Sequence, residues 1–184
     1  ASPLKPELSN NYTIGFTAQM ANVDLTVDFY RIDIEDRMFP TSPQPVSTDS
    51  TSGSAYDNFL ALQGAGVESA AFLSQVNFFA SAFDSTTEGV DIVASTPIDW
   101  GNNGVTTLTA SASFNESEFD SPESQVSNFL NAEARFDFEN LLPKWKGVIS
   151  ARHEINNFSI VGRVSYFGEF DNFSRGDIQT YGAN

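Results

Sequence analysis

The chain has 184 residues, with 9 Lys and Arg against 24 Asp and Glu, a net charge of −15. So acidic a chain lacks the clustered cations that phosphate contacts need, which excludes nucleic acid as a partner. Hydrophobic residues at 40% and aromatics at 13% exclude a disordered acidic tail, and the absence of cysteine removes disulfides, thiolate metal sites and cysteine nucleophiles.

No apolar run approaches the roughly 18 residues of a membrane helix, and Ala1 to Asn10 lacks the basic and apolar regions of a signal peptide. A mean hydropathy of −0.22 does not exclude membrane β-strands, which alternate apolar and polar residues.

Alternation is the dominant pattern. Tyr12, Ile14, Phe16, Ala18 and Met20 share one face of a first strand. After a tight turn at Ala21-Asn22, Val23, Leu25, Val27 and Phe29 oppose Asp24, Thr26 and Asp28, completing a hairpin. Pro40 to Ser54 is rich in Pro, Ser and Thr and reads as loop, whereas Ala71, Phe72, Gln75, Val76, Phe79 and Phe83 fall near helical spacing. The spacing predicts a short helix near 67–80 inside a long excursion over 37–83. Val90, Ile92 and Ala94 then oppose Asp91 and Ser95. A Gly- and Asn-rich turn over Pro97 to Gly104 leads to Leu108, Ala110, Ala112 and Phe114 opposite Thr and Ser.

A second excursion spans 118–144. Within it Ala132, Ala134, Phe136 and Phe138 alternate with Glu133, Arg135, Asp137 and Glu139. Counting that stretch as a crossing would put the tight turn at Asn156-Asn157 on the wrong rim, so it is expected to be a short ladder or a helix within the excursion. Ile149, Ala151 and Ile155, then Phe158, Ile160, Val164 and Tyr166, line the apolar faces of a last hairpin. About six strands of about 10 residues result, longer than the 5–6 typical of soluble sheets. Short turns lie at one rim and excursions at the other, the asymmetry of outer-membrane barrels. The same alternation also suits a soluble all-β sandwich acting as a binding or adhesion module.

Several segments resemble one family. Leu4-Lys5-Pro6-Glu7 and Ser9 to Phe16 resemble a late barrel strand of TonB-dependent outer-membrane receptors. Leu25 to Arg37 is similar to the family's next strand rising into an extracellular loop, and Phe78 to Phe83 with Thr87 to Asp91 to its return strand. Leu142-Pro143-Lys144-Trp145-Lys146 and Tyr166-Phe167-Gly168 resemble its Pro-Lys and Tyr-x-Gly strand ends. The resemblance implies part of an antiparallel transmembrane β-barrel in the outer membrane of a Gram-negative bacterium, its outer face against lipid. It also implies a plug domain upstream, energy supplied through TonB, and import of a scarce small nutrient such as a ferric siderophore, cobalamin or an oligosaccharide. Asn184 is not the aromatic that ends a last barrel strand, so the chain reads as a piece of a longer receptor.

Within that frame Asp24, Asp28, Asp91, Arg152, Glu154 and Arg163 are expected to face the lumen. Phe72, Phe78, Phe79 and Phe83 are candidate ligand contacts, although packing of loops on loops is the competing role. Deleting Asp57 to Phe79 is expected to abolish ligand binding and spare assembly. His153, the only histidine, falls on an apolar face and suits a rim position, which leaves no histidine dyad. Glu116 and Glu118 share a strand face without a cleft, Gly64-Ala65-Gly66 lacks the third Gly of a dinucleotide loop, and the acidic loops lack EF-hand spacing. No enzyme activity, cofactor or metal is expected.

Overall fold

A computed structural model of the chain describes residues 4–182 apart from Ser50 and Arg175; the terminal Asn184 discussed above lies outside these residues. In chain order the elements are β1 (Leu8–Met20), β2 (Val23–Pro40), β3 (Gln44–Pro45), α1 (Ser54–Gly64), a 3-10 turn (Ala70–Phe72), β4 (Gln75–Val76) and β5 (Phe79–Asp99). There follow a second 3-10 turn (Gly101–Asn103), β6 (Val105–Phe119), α2 (Glu123–Val126), α3 (Ala132–Asn140), β7 (Trp145–Ile155), β8 (Phe158–Phe167), β9 (Phe170–Ser174) and β10 (Asp177–Tyr181).

The six long strands form one antiparallel meander in the order β1-β2-β5-β6-β7-β8. A β-sandwich requires two sheets packed face to face. Here the other described strands form only two-stranded pairs, β3 with β4 and β9 with β10, so the sandwich expectation gives way to a single six-stranded sheet. The hairpin turns are minimal where Met20 pairs with Val23 and Ile155 with Phe158, and Ala21 and Asn156 take left-handed φ of 54 and 50. Asp99 pairs with Val105 around the second 3-10 turn. These three turns share one rim, and residues 41–78, 120–144 and 168–182 leave from the other.

Register places every apolar column on one face. Phe29, Val90, Phe114 and Trp145 lie in one row, and Val27, Ile92, Ala112 and Gly147 in the next. The ring centroids of Phe114 and Trp145 are 4.8 Å apart. Little covers this face: Ile14 and Phe158 are each 75% exposed, Val164 72% and Ile149 64%. From Val90 to Ile98 it runs about 26 Å along the strand at ~3.3 Å per residue. After tilting, that is somewhat under the band of about 25 Å found on outer-membrane barrels. At the turn rim Trp100 donates from Nε1 to Thr106 Oγ1 (2.8 Å), and His153 Nδ1 is 2.9 Å from the same hydroxyl. These amphipathic rings sit where an interfacial belt forms, and His153 is on the apolar face, as expected. Gly89 is required by close approach: a Cβ there would strike the Tyr30 ring and the Phe114 carbonyl.

The excursions differ from expectation in two places. The strands reach Pro40 and restart at Phe79, so the first excursion is 41–78 rather than 37–83. The helix is α1, not 67–80, where only a 3-10 turn, β4 and the start of β5 are found. The phenylalanines at 79 and 83 sit in a strand that β2 pairs with, and pairing outweighed their accidental helical spacing. Residues 54–64 carry good helix formers, Ala55, Leu60, Ala61, Leu62 and Gln63, between Gly53 and Gly66. Gly64-Ala65-Gly66 is simply that helix's end, with Gly66 at φ 82 and the Val67 N–H donating to Leu62 O. In the second excursion the alternating stretch is a helix, α3. Asn131 caps it, accepting from Ala134 N at 2.8 Å.

Candidate functional site

The face opposite the apolar columns is predominantly polar, interrupted by Val93, Val148 and Val161 and by Phe83 and Phe119 at the excursion rim. Asp28 pairs directly with Asp91, and Asp24 with Ser95. Thr107, Thr109, Ser111, Ser113, Asn115 and Ser117 form the central column on β6, and Ser150 and Arg152 of β7 pair with Thr109 and Thr107. Arg163 lies opposite Ser150, and Glu154 opposite Ser159. All six charges expected in the lumen therefore share this face. The aspartates lie on β2 and β5 and the guanidiniums on β7 and β8, where Glu154 accompanies Arg152, with hydroxyls and amides between. Arg152 Nη1 is 3.5 Å from Glu154 Oε1. Both partners are more than half exposed, so the pair adds little stability.

At the excursion rim the four candidate phenylalanines do not form a cluster. Phe72 is 90% exposed in the 3-10 turn, while Phe78 and Phe79 are partly exposed where β5 begins. Phe83 is wholly buried. Its ring meets Phe119 at 4.7 Å, Phe138 at 5.3 Å and Phe39 at 5.6 Å. Ala80, Ala82, Val126 and Leu130 complete this core. Phe83 is thus a packing residue that joins β5 to the second excursion, the competing role given above. A side chain without accessible surface has no area to offer a ligand. Arg37 lies over the Phe138 ring, 5.1 Å from its centroid, and donates to Ser85 Oγ at 3.0 Å.

A feature missed in the sequence lies on the other face, between this core and the aromatic row. One residue pair above the aromatic row, the apolar columns turn charged: Arg31 pairs with Glu88 and Glu88 with Glu116, then Asp33 with Thr86 and Thr86 with Glu118. Arg31 donates to Glu88 Oε1 at 2.6 Å and to Asp33 Oδ1 at 2.8 Å. Thr86 donates to Asp120 and Lys144 to Glu116. Glu116 and Glu118 therefore share a face, as expected, within an ion-pair belt rather than an acid/base pair. The signal was available in the parity of β2, where Arg31, Asp33 and Glu35 continue the column of Leu25, Val27 and Phe29. At the bulge of β2, Asp36 accepts from Lys5 Nζ at 2.9 Å, which holds that ammonium above its ordinary pKa. Among the described residues, no group of three or more His, Asp or Glu could hold a metal ion.

A strand-crossed wall with one bare apolar face, an aromatic row, charge above it and a polar reverse face has the anatomy of a membrane barrel sector. Comparisons with curated proteins and with solved structures gave no match. The family described as TonB dependent receptor-like, beta-barrel, matches residues 1–183. That family consists of outer-membrane transporters of Gram-negative bacteria rather than enzymes, working with a plug domain and TonB. The chain belongs to the TonB-dependent receptor β-barrel family.

Proposed function

We propose that this chain is part of the wall and mouth of an outer-membrane active transporter that imports a scarce nutrient, such as a ferric siderophore, cobalamin or an oligosaccharide, with energy delivered through TonB. One observation carries the reading: six paired strands keep a single apolar face that is bare in the chain alone, backed by one that is predominantly polar. Outer-membrane lipid covers the first. The second lines the lumen against the receptor's own plug domain, with Asp24, Asp28, Asp91, Arg152, Glu154 and Arg163 supplying its charge. The long excursions face outward from the cell, because outer-membrane barrels keep their short turns on the periplasmic side. Ligand contact falls to residues 41–78 and the adjoining Phe79, through the exposed rings of Phe72, Phe78 and Phe79. Phe83 is excluded by its burial.

The test replaces residues 43–76 with a short Gly-Ser linker in the full-length receptor, keeping Phe79 because it opens β5. The variant is expected to assemble in the outer membrane at the parent's level. TonB-dependent uptake from a panel of radiolabelled ferric siderophores, cobalamin and oligosaccharides is expected to fall to background. Uptake that persists undiminished contradicts the assignment of this excursion, and uptake indifferent to TonB contradicts the transport reading.

A further inference from the structure

Register fixes the side of the sheet on which the second excursion sits. On β5, Phe83 continues the column of Asp91, Gly89, Thr87 and Ser85; on β6, Phe119 continues that of Ser113, Asn115 and Ser117. These are the polar columns, and the Thr87 and Ser117 hydroxyls bond at 2.8 Å one rung below Phe119. Val126, Leu130 and Phe138 pack on Phe83 and Phe119. An aromatic core therefore stands at the rim on the face that is otherwise wet. Below that height the opposite face carries the Arg31, Glu88 and Glu116 row.

We propose that residues 120–144 are a fixed constriction folded inward over the barrel mouth, not a loop standing free above it. The proposal rests on the transporter reading, which makes the polar face the lumen wall. Three attachments hold the segment. Beneath it, Phe83, Val126 and Leu130 are each at or below 2% exposed. On one flank Asp137 Oδ1 accepts from Phe173 N at 2.8 Å, tying it to β9. On the other, Ser42 N donates to Phe129 O at 2.9 Å and Asn131 N to Ser42 Oγ at 3.0 Å, tying it to the base of the first excursion. By contrast α1 buries none of its residues. The aperture is thus bounded on this side by a fixed second excursion, and its width limits what reaches the lumen.

Thiol accessibility tests this in intact cells carrying the full-length receptor, since this chain has no cysteine of its own. Ser117→Cys places a thiol on the polar face just below the core, and Thr51→Cys places one on an exposed part of the first excursion as control. The probes are a small methanethiosulfonate and a long polyethylene-glycol maleimide. The control is expected to react with both. The thiol at 117 is expected to react with the small reagent but with the long one at least about tenfold more slowly than the control, as when labelling waits on local opening. Deleting residues 122–141 is expected to bring the long reagent to the control's rate. Long-reagent labelling at the control's rate in the intact receptor overturns the constriction while TonB-dependent uptake still stands. Slow labelling that the deletion leaves unchanged overturns it too, since something else covers the site. A control that reacts with neither reagent removes the outer-membrane reading and the constriction with it.

Discussion

Ile149→Arg in the full-length receptor is expected to destabilise the barrel in a bilayer by about 2–4 kcal/mol, the cost of a cation at the midplane of a lipid-facing surface. Ile149 is midway down β7, between Trp145 at the aromatic row and His153 near the turn rim, on the face carrying Val164 and Tyr166 on β8. Ser150→Arg, one residue along, points to the polar face and is expected to change stability by no more than ~0.5 kcal/mol. Urea unfolding in liposomes reads both. The contrast matters more than either value, because it reads which face of β7 is withdrawn from water. Equal effects of the two would contradict the assignment of faces.

Phe83→Ala is expected to show the second large effect, in a different place. Removing a fully buried aromatic from a close-packed core costs about 3–5 kcal/mol. The groups that lose contacts are Phe39, Phe119 and Phe138 together with Val126 and Leu130. Most of that loss falls on the docking of the second excursion, since the strand ladder from Ser85 to Asp99 with β6 is untouched. Hydrogen exchange of the amides in 123–140 is expected to accelerate while those of β5 and β6 below Thr87 keep their protection. The same exchange profile in parent and variant would show that Phe83 does not hold the excursion in place. Phe72→Ala is the matched comparison: at 90% exposure it leaves nothing unpacked.

Much of the wall was legible because a period of two leaves a signature in every strand. Apolar columns on β1, β2, β5, β6, β7 and β8 were recognised as alternation, and the turns at Ala21-Asn22 and Asn156-Asn157 fixed which strands are neighbours. Rim parity sent 131–139 into an excursion despite its perfect alternation. The structure adds why it is helical: Asn131 caps it, and Ala, Glu and Arg favour a helix where no strand is offered for pairing. Less was legible at the mouth. Helical spacing of Phe79 and Phe83 was mistaken for a helix because two residues four apart fit both periods when one face of the strand is not yet known. The burial of Phe83 depends on Val126, Leu130 and Phe138, some forty or more residues away, and no local pattern announces that contact. The belt of Arg31, Glu88 and Glu116 was hidden for the opposite reason. Each charge was visible, but only the register across β2, β5 and β6 brings them into one row.

The apolar face against lipid is the claim on which the account stands, and a nitroxide scan along β7 in the full-length receptor, reconstituted in liposomes, tests it most directly. Spin labels placed singly at Gly147 through Arg152 report collision with oxygen, enriched in lipid, and with a water-soluble nickel chelate. The account predicts alternation with period two: oxygen-dominated collision at 147, 149 and 151, and nickel-dominated or sterically shielded labels at 148, 150 and 152. The opposite phase, or labels that meet the nickel chelate equally at all six positions, would contradict it.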